Sequence, residues 1–464
     1  MRESAYNVWV DQPDTSWVYN GLSGSVLRLP AAERAALQRY LADGTCDDLS
    51  TEVVTNLTIG RMLVTDDADE TEVLAARYAR SRQNANRFAL TIVTSLGCNF
   101  DCPYCFEDKH PSILAPDVED AVLAVLDDQL ARIERFEVTW FGGEPLVGKR
   151  PLLALSDAFI ERCDRAGVDY GASIITNGYL LDRDTARQLA ARRVTQTQIG
   201  LDGPPDVHDR MRPRADGGPT FERIVANIID TADLLEIVVR VNLDTDNVDR
   251  TEELLAILAD AGLAGRIGIY PGHLVGVAEN AAAPSSTYAA AHACLTTPAF
   301  AHAALQFGRL AQRYGFGSPD VPEATGTPCT AVRDNELVVG SAGELYKCWD
   351  SVGSPFESIG HISDYRNTNG RLRRWLAYDP FANEECRSCI ALPVCMGGCA
   401  HHAMDLDLRE DRCGTFRYTY QERVADYVTH RATASVPVDV PTRAPRRARA
   451  AGEPAEGTTS TVAS

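Results

Sequence analysis

Thr91-Ile-Val-Thr-Ser-Leu-Gly-Cys-Asn-Phe-Asp-Cys-Pro-Tyr-Cys-Phe106 starts as an apolar, β-branched run and breaks into a loop carrying three cysteines. The run has the composition of a buried strand, and Gly97 marks where it ends. Cys98, Cys102 and Cys105 are spaced C-x3-C-x2-C, and no further thiol follows before Cys163. Three thiolates satisfy three irons of a cubane cluster and leave the fourth iron open to a second molecule. A zinc knuckle is the competing reading, but zinc sites favour paired cysteines that sum to four ligands.

Working outward, a second strand-like run, Phe136-Glu-Val-Thr-Trp-Phe141, leads into Gly142-Gly143-Glu144-Pro145. Alone, this tetrapeptide reads as a tight turn. Ending the strand that follows a three-cysteine loop, it reads as part of a site, because glycines let a backbone approach a ligand closely. The two elements together resemble the radical S-adenosylmethionine (radical SAM) superfamily. Tyr104 stands where that family has an aromatic residue before its third cysteine. Gly142, Gly143 and Glu144 resemble the Gly-Gly-Glu-Pro element that receives the methionyl amino group of S-adenosylmethionine (SAM). Ser173 and Asn177, in Gly171-Ala-Ser-Ile-Ile-Thr-Asn-Gly178, match polar positions that reach the ribose and methionyl carboxylate in related enzymes. Gly200-Leu-Asp-Gly-Pro204 is similar to the family's Ser-Leu-Asp-Gly-Pro segment, with glycine in place of serine, and brings Asp202 into the expected cofactor site. His208 and Arg212 lie just beyond it; for His208 a surface or capping role is the alternative. Arg240 and Asn242 interrupt an apolar strand and are expected to face the barrel lumen, since a buried charge on the packed side is costly.

A second cysteine set is as informative as the first. Cys329 is followed after 18 residues by Cys348, and then Cys386, Cys389, Cys395, Cys399 and Cys413 run C-x2-C-x5-C-x3-C-x13-C. This pattern, with Gly343 ahead of Cys348, resembles the SPASM domain, which carries two auxiliary [4Fe–4S] clusters in radical SAM enzymes that act on peptides. The resemblance implies that Cys329, Cys348 and Cys399 hold one auxiliary cluster. Cys386, Cys389, Cys395 and Cys413 would hold the other, for three [4Fe–4S] clusters in all. Sulfatase-maturing members have an extra cysteine soon after the first, and Thr330 to Gly343 contains none. The first auxiliary cluster is therefore expected to have an open or non-cysteine fourth position, which counts against a sulfatase-maturase assignment. Cys46, Cys163 and Cys294 fall outside all three sets and read as core residues.

Strand candidates at Phe88–Ser95, Phe136–Phe141, Gly171–Thr176, Thr195–Leu201, Glu236–Leu243 and Arg266–Tyr270 alternate with helix candidates at Ala115–Ile133, Pro151–Ala166, Asp182–Arg192, Phe221–Leu235 and Asp249–Ala261. Such alternation specifies parallel strands with right-handed crossovers. The fold class expected is α/β: a partial (β/α)6, TIM-like radical SAM barrel over residues 85–280, open at the side. A small N-terminal α+β, winged-helix-like domain precedes it over 1–80. A helical linker over 281–324, with a helix from Ser286 to Tyr314, leads to a C-terminal cysteine-rich SPASM domain over 325–425. Residues 435–464, rich in Pro, Ala, Arg and Thr, read as a disordered tail. In the N-terminal unit, strands are expected around Tyr6–Val10, Ser16–Tyr19, Ser23–Leu29 and Arg61–Thr65. Helices are expected from Ala31, with Pro30 suited to a first helical position, from Asp47 to Asn56, and through Arg80. The pattern is similar to the precursor-recognition domain of enzymes that modify ribosomally made peptides, which holds a leader peptide as an added strand.

The formal charge of −20 argues against binding a phosphate backbone. No run of apolar residues is long enough to span a bilayer and no export signal is visible, so the expected location is cytoplasmic. The resemblance implies an enzyme that uses SAM to abstract a hydrogen atom from a precursor peptide and installs a carbon–carbon or thioether cross-link. Peptidyl oxidation or epimerisation are the alternatives within the class, and a non-catalytic metal-binding peptide adaptor is the alternative outside it. Expected partners are a precursor peptide with its leader and a reductase, flavodoxin or ferredoxin as electron donor, with neither nucleic acid nor membrane.

Overall fold

A computed structural model describes residues 1–44, 48–107, 109–275, 294–406 and 408–433. Cys46, the first part of the expected linker helix and the expected tail lie outside these residues. Near the N-terminus, β1 (Arg2–Glu3), β2 (Asn7–Asp11), β3 (Thr15–Asn20), β4 (Val26–Pro30) and β5 (Leu63–Val64) form two small antiparallel sheets, β2-β3-β4 and β1-β5. Helices Ala31–Asp43, Thr51–Ile59 and Glu70–Arg82 pack with them. Pro30 caps the first helix rather than entering it, and Ser50 Oγ accepts from the Val53 amide at 3.2 Å, which sets the start of the second.

Six parallel strands follow: β6 (Arg87–Ser95), β7 (Arg135–Gly142), β8 (Asp169–Thr176), β9 (Val194–Gly200), β10 (Glu236–Leu243) and β11 (Gly268–His273). They pair in sequence order, as βα alternation predicts. In β6, Phe88, Leu90 and Ile92 turn to the helices, so Thr91 faces the lumen. The same alternation buries Val239 and Val241 in β10 and turns Arg240 and Asn242 inward, as expected. Register aligns Phe88, Phe136 and Tyr170 across three strands, and their rings stack at 5.9 and 5.8 Å. This aromatic ladder stabilises the amino-terminal end and leaves the carboxyl-terminal end for chemistry.

The sheet stays open, as expected of a partial barrel, but the first barrel strand is not its edge. β12 (Glu336–Val339) pairs in parallel with β6, and β13 (Glu344–Tyr346) and β14 (Gly360–His361) continue antiparallel, giving a nine-stranded sheet. An unpaired β6 would expose a row of amides and carbonyls, and the C-terminal domain covers it. At the other edge, the linker helix Thr297–Arg313 packs along β11, with His273 stacked on Phe300 at 4.4 Å. The same helix reaches the C-terminal helix Phe416–Thr433 through Arg309 and Asp426 at 2.7 Å. The N-terminal unit docks on the C-terminal domain: Tyr19 donates to the Pro322 carbonyl at 2.5 Å and Tyr78 to the Tyr378 carbonyl at 2.6 Å.

Candidate active site and metal centres

The loop after β6 carries Cys98, Cys102 and Cys105 at the carboxyl-terminal mouth of the barrel. Burial pushes the Cys98 thiol up to about 12 and the Cys105 thiol to about 11, and raises Cys102 as well. A metal must therefore displace protons from partly desolvated sulfurs here. The neighbouring thiolates and Glu144 add to the rise at Cys98, which puts the three sulfurs within electrostatic reach of one another. Asn99 beside them has a buried Nδ2 with no hydrogen-bond partner among the described residues, an orphan donor suited to cluster sulfur.

Gly142 and Gly143 turn out to hold this loop. The Gly143 amide donates to the Ser95 carbonyl and the Glu144 amide to the Gly97 carbonyl, each at 3.0 Å. Gly142 has φ of 140°, and a Cβ there would collide with the Ser95 carbonyl oxygen. A Cβ on Gly143 would lie 2.7 Å from the Leu96 oxygen. Glu144 is fully buried, and its carboxylate accepts from the Thr176 hydroxyl at 2.7 Å, the Asn177 amide at 2.7 Å and the Leu146 amide at 2.9 Å. Burial raises its pKa, and these hydrogen bonds oppose the rise. The side chain thus ties the β7 loop to the β8 loop.

Asn177 lies at the centre of the site, its Nδ2 at 2.8 Å from Asn99 Oδ1 and 3.9 Å from Cys98 Sγ. Ser173 Oγ pairs with Thr139 Oγ1 at 3.1 Å, on the lumen face of the adjacent strands. Tyr104 donates its hydroxyl to Asp202 Oδ2 and accepts from Arg212 Nη1 at 2.7 Å and Asn242 Nδ2 at 3.3 Å. Burial is the first cause that raises the Tyr104 pKa well above the phenol range, so it stays a neutral donor. Asp202 Oδ1 accepts the Asn242 amide at 3.0 Å. The network ties the cysteine loop to the ends of β9 and β10. It also explains Gly200: a Cβ there would lie 2.6 Å from Arg212 Nη1. His208 is neither a surface nor a capping residue. It is fully buried, and its Nδ1 accepts the Asp202 amide at 3.2 Å. Burial, then Arg212, lowers its pKa well below the usual range and keeps it neutral. In the lumen, Arg240 Nε and Asn242 Oδ1 are buried without hydrogen-bond partners among the described residues, which suits a polar ligand between the cysteine loop and β10.

In the C-terminal domain, cysteines act on one another electrostatically in two sets. Burial raises the Cys348 thiol, and Asp350, Cys399 and Cys329 raise it further. Cys395 is raised to about 11 by burial, with Cys413, Cys389 and Cys386 adding to it. Arg417 Nη1 donates to Cys413 Sγ at 3.2 Å. Gly398, between Cys395 and Cys399, has φ of 75°, and a Cβ there would strike the Arg412 carbonyl oxygen. Cys163 is a core residue under the barrel, as its isolation in sequence suggested. Asn99, Thr176 and His401 were not singled out from sequence, and no spacing signal marks them.

Residues 92–256 match the model of the Radical SAM superfamily. The barrel is a radical SAM domain. The mycofactocin maturase MftC of Mycolicibacterium smegmatis is 29% identical over 185 residues, which cover 38% of this chain and 43% of that protein. An AdoMet-dependent heme synthase of Methanosarcina barkeri is 32% identical over 149 residues, covering 31% of this chain and 39% of that protein. The chain thus spans less than half the length of these curated relatives. Among solved structures, anSMEcpe with bound AdoMet and Cp18Cys peptide superposes with a TM-score of 0.55 at 17% identity, over 75% of this chain and 99% of that one. Streptococcus suis SuiB bound to the precursor peptide SuiA superposes with a TM-score of 0.50 at 13% identity, over 89% of this chain and 99% of that one. These two share the fold of the radical SAM domain and its flanking domains. No described helix is long and apolar enough to cross a membrane.

Proposed function

We propose that this protein is a radical SAM/SPASM maturase that cross-links a ribosomally made precursor peptide. The observation that supports the reading best is the mutual electrostatic influence of the cysteines within three sets, one at the barrel mouth and two in the C-terminal domain. The donor sets suit three [4Fe–4S] clusters, and the first leaves an iron open for SAM. When bound there, cluster and SAM supply a 5′-deoxyadenosyl radical that takes a hydrogen atom from the peptide. Gly142 and Gly143 hold the cysteine loop, Tyr104 with Asp202 fixes it against β9 and β10, and Asn177 with the orphan lumen atoms would hold SAM. Joining the resulting substrate radical to a neighbouring thiol or carbon would break its S–H or C–H bond, release a proton to solvent and pass one electron to an auxiliary cluster, giving the thioether or carbon–carbon bond. A cytoplasmic flavodoxin or ferredoxin is the proposed electron source. The maturase and the two peptide-bound structures among the similar proteins support a peptide substrate.

The leader would add to an edge of the N-terminal sheet. At the β2 edge, Gln421 of the C-terminal helix caps the Trp9 carbonyl at 2.6 Å, so β4 is the proposed docking strand. The test of the whole reading is replacement of Cys98, Cys102 and Cys105 by Ala. Reductive SAM cleavage should vanish while about eight irons remain from the auxiliary sites. Stoichiometric zinc with little iron, or 5′-deoxyadenosine formed by the variant, excludes it.

A further inference from the structure

The cluster assigned to Cys329, Cys348 and Cys399 has three cysteines, and the position that a fourth would fill is the question. The helix Ala400–Met404 follows directly from Cys399 and carries His401. The ligand atoms of Cys348, Asp350 and His401 lie within 4.8 Å of one another. His401 Nδ1 is shut off from solvent and has no hydrogen-bond partner among the described residues. Its approach to the Asp350 carboxylate is 4.0 Å, too long for a hydrogen bond. A buried ring nitrogen without a partner calls for an ion or a missing ligand as its explanation. The other candidates fare less well. Asp350 is more than a third exposed, so water satisfies its carboxylate. His402 uses its Nδ1 at the Asp411 carbonyl, 3.2 Å away.

We infer that His401 Nδ1 is the fourth ligand of the Cys329–Cys348–Cys399 cluster. The inference rests on the reading of these cysteines as an auxiliary [4Fe–4S] site. Imidazole is a good ligand for iron, and a neutral ligand in place of a thiolate makes a cluster less negative and easier to reduce. A cluster closed in this way has no iron left for a substrate thiolate, so no bond between substrate and this cluster forms.

The experiment uses the full chain with Cys98, Cys102 and Cys105 replaced by Ala, reconstituted anaerobically, reduced and labelled with nitrogen-15 histidine. Pulsed electron paramagnetic resonance should show a strong histidine nitrogen coupling. His401→Ala should abolish it, and Asp350→Asn should retain it. His401→Cys should also abolish it, while keeping the iron content and lowering the reduction potential, which separates ligation from misfolding. In His401→Ala the exposed iron should take up 2-mercaptoethanol with a changed spectrum, and the parent should not respond. No histidine coupling in a protein that holds about eight irons overturns the inference alone. Iron well below that number overturns the auxiliary-cluster reading, and this inference with it.

Discussion

The two ends of the molecule bring cysteines together in opposite ways. At the barrel mouth, Cys98, Cys102 and Cys105 come from one short loop, and their positions are set by backbone bonds to the next loop at Gly143 and Glu144. In the C-terminal domain, Cys329, Cys348 and Cys399 come from three segments far apart in sequence, joined only by folding. The Cys399 amide reaches the Arg412 carbonyl at 2.8 Å, just ahead of Cys413, so the two auxiliary sites share a scaffold. A local loop suits a site that must leave one position free for a cofactor. A site assembled from separate segments suits clusters that remain enclosed. The barrel site should therefore fail alone, and the auxiliary sites together.

Two glycines test that contrast, with the largest effects expected. Gly398→Ala forces a Cβ into the Arg412 carbonyl at a left-handed φ, between ligands of both auxiliary groups. Iron should fall from about 12 to about four per chain, with the barrel cluster retained. Gly142→Ala forces a Cβ into Ser95 at a φ that costs about 1–3 kcal/mol in strain alone. It should remove about four irons and all SAM cleavage, leaving the auxiliary spectra unchanged. If either variant lost all three clusters equally, the sites would not be independent.

Much of this contrast was legible in the sequence, for a physical reason. Barrel strands such as Phe88–Ser95 are runs of Val, Ile and Thr between amphipathic helices, and period and composition act over short range. Cysteine spacing is local as well, and through it the resemblance to the SPASM domain implied two auxiliary sets. The rest depends on distant partners. β12, β13 and β14 have four, three and two residues, too few for a periodic signal, and β12 exists because β6 needs a neighbour. Helix Pro205–Met211 has only seven residues after a Gly-Pro turn. Glu144 read as a ligand because its partners, Thr176 and Asn177, sit on the next strand's loop. For His208 a surface or capping role stayed open beside a site role, because nothing nearby in sequence reveals that it is packed under Asp202 and against Phe221.

Glu144 gives a prediction of intermediate size. Glu144→Ala leaves the Asn177 and Leu146 amides and the Thr176 hydroxyl without their acceptor, at about 1–3 kcal/mol for each buried group. Amide hydrogen exchange at Asn177 and Leu146 should speed up by about tenfold or more, in protein without SAM. A carboxylate that served the cofactor instead would leave exchange in the SAM-free protein unchanged and lower only SAM affinity. The two outcomes separate a strut from a ligand.

The smallest effect is expected at Gly200, which stands in place of the serine of the Ser-Leu-Asp-Gly-Pro segment that this stretch resembles. A serine Cβ at that position would press on Arg212, whose Nη1 donates to Tyr104 at 2.7 Å and lies 3.7 Å from Asp202 Oδ2. Burial alone would lower the Arg212 pKa; Tyr104, Cys102 and Asp202 outweigh it and hold the pKa well above its ordinary value. A displaced guanidinium would loosen the cysteine loop without removing a ligand, so the loss should be modest. Gly200→Ser is expected to weaken SAM binding less than about tenfold, about 1 kcal/mol. In an Arg212→Met background the serine has no guanidinium to displace, and the same substitution should become neutral. A double-mutant cycle read by SAM affinity measures the difference, with a coupling of at least about 0.5 kcal/mol expected between these contacting residues. Additive losses would show that Gly200 answers to something other than Arg212, and that the Tyr104–Arg212–Asp202 network is not what anchors the barrel cluster loop.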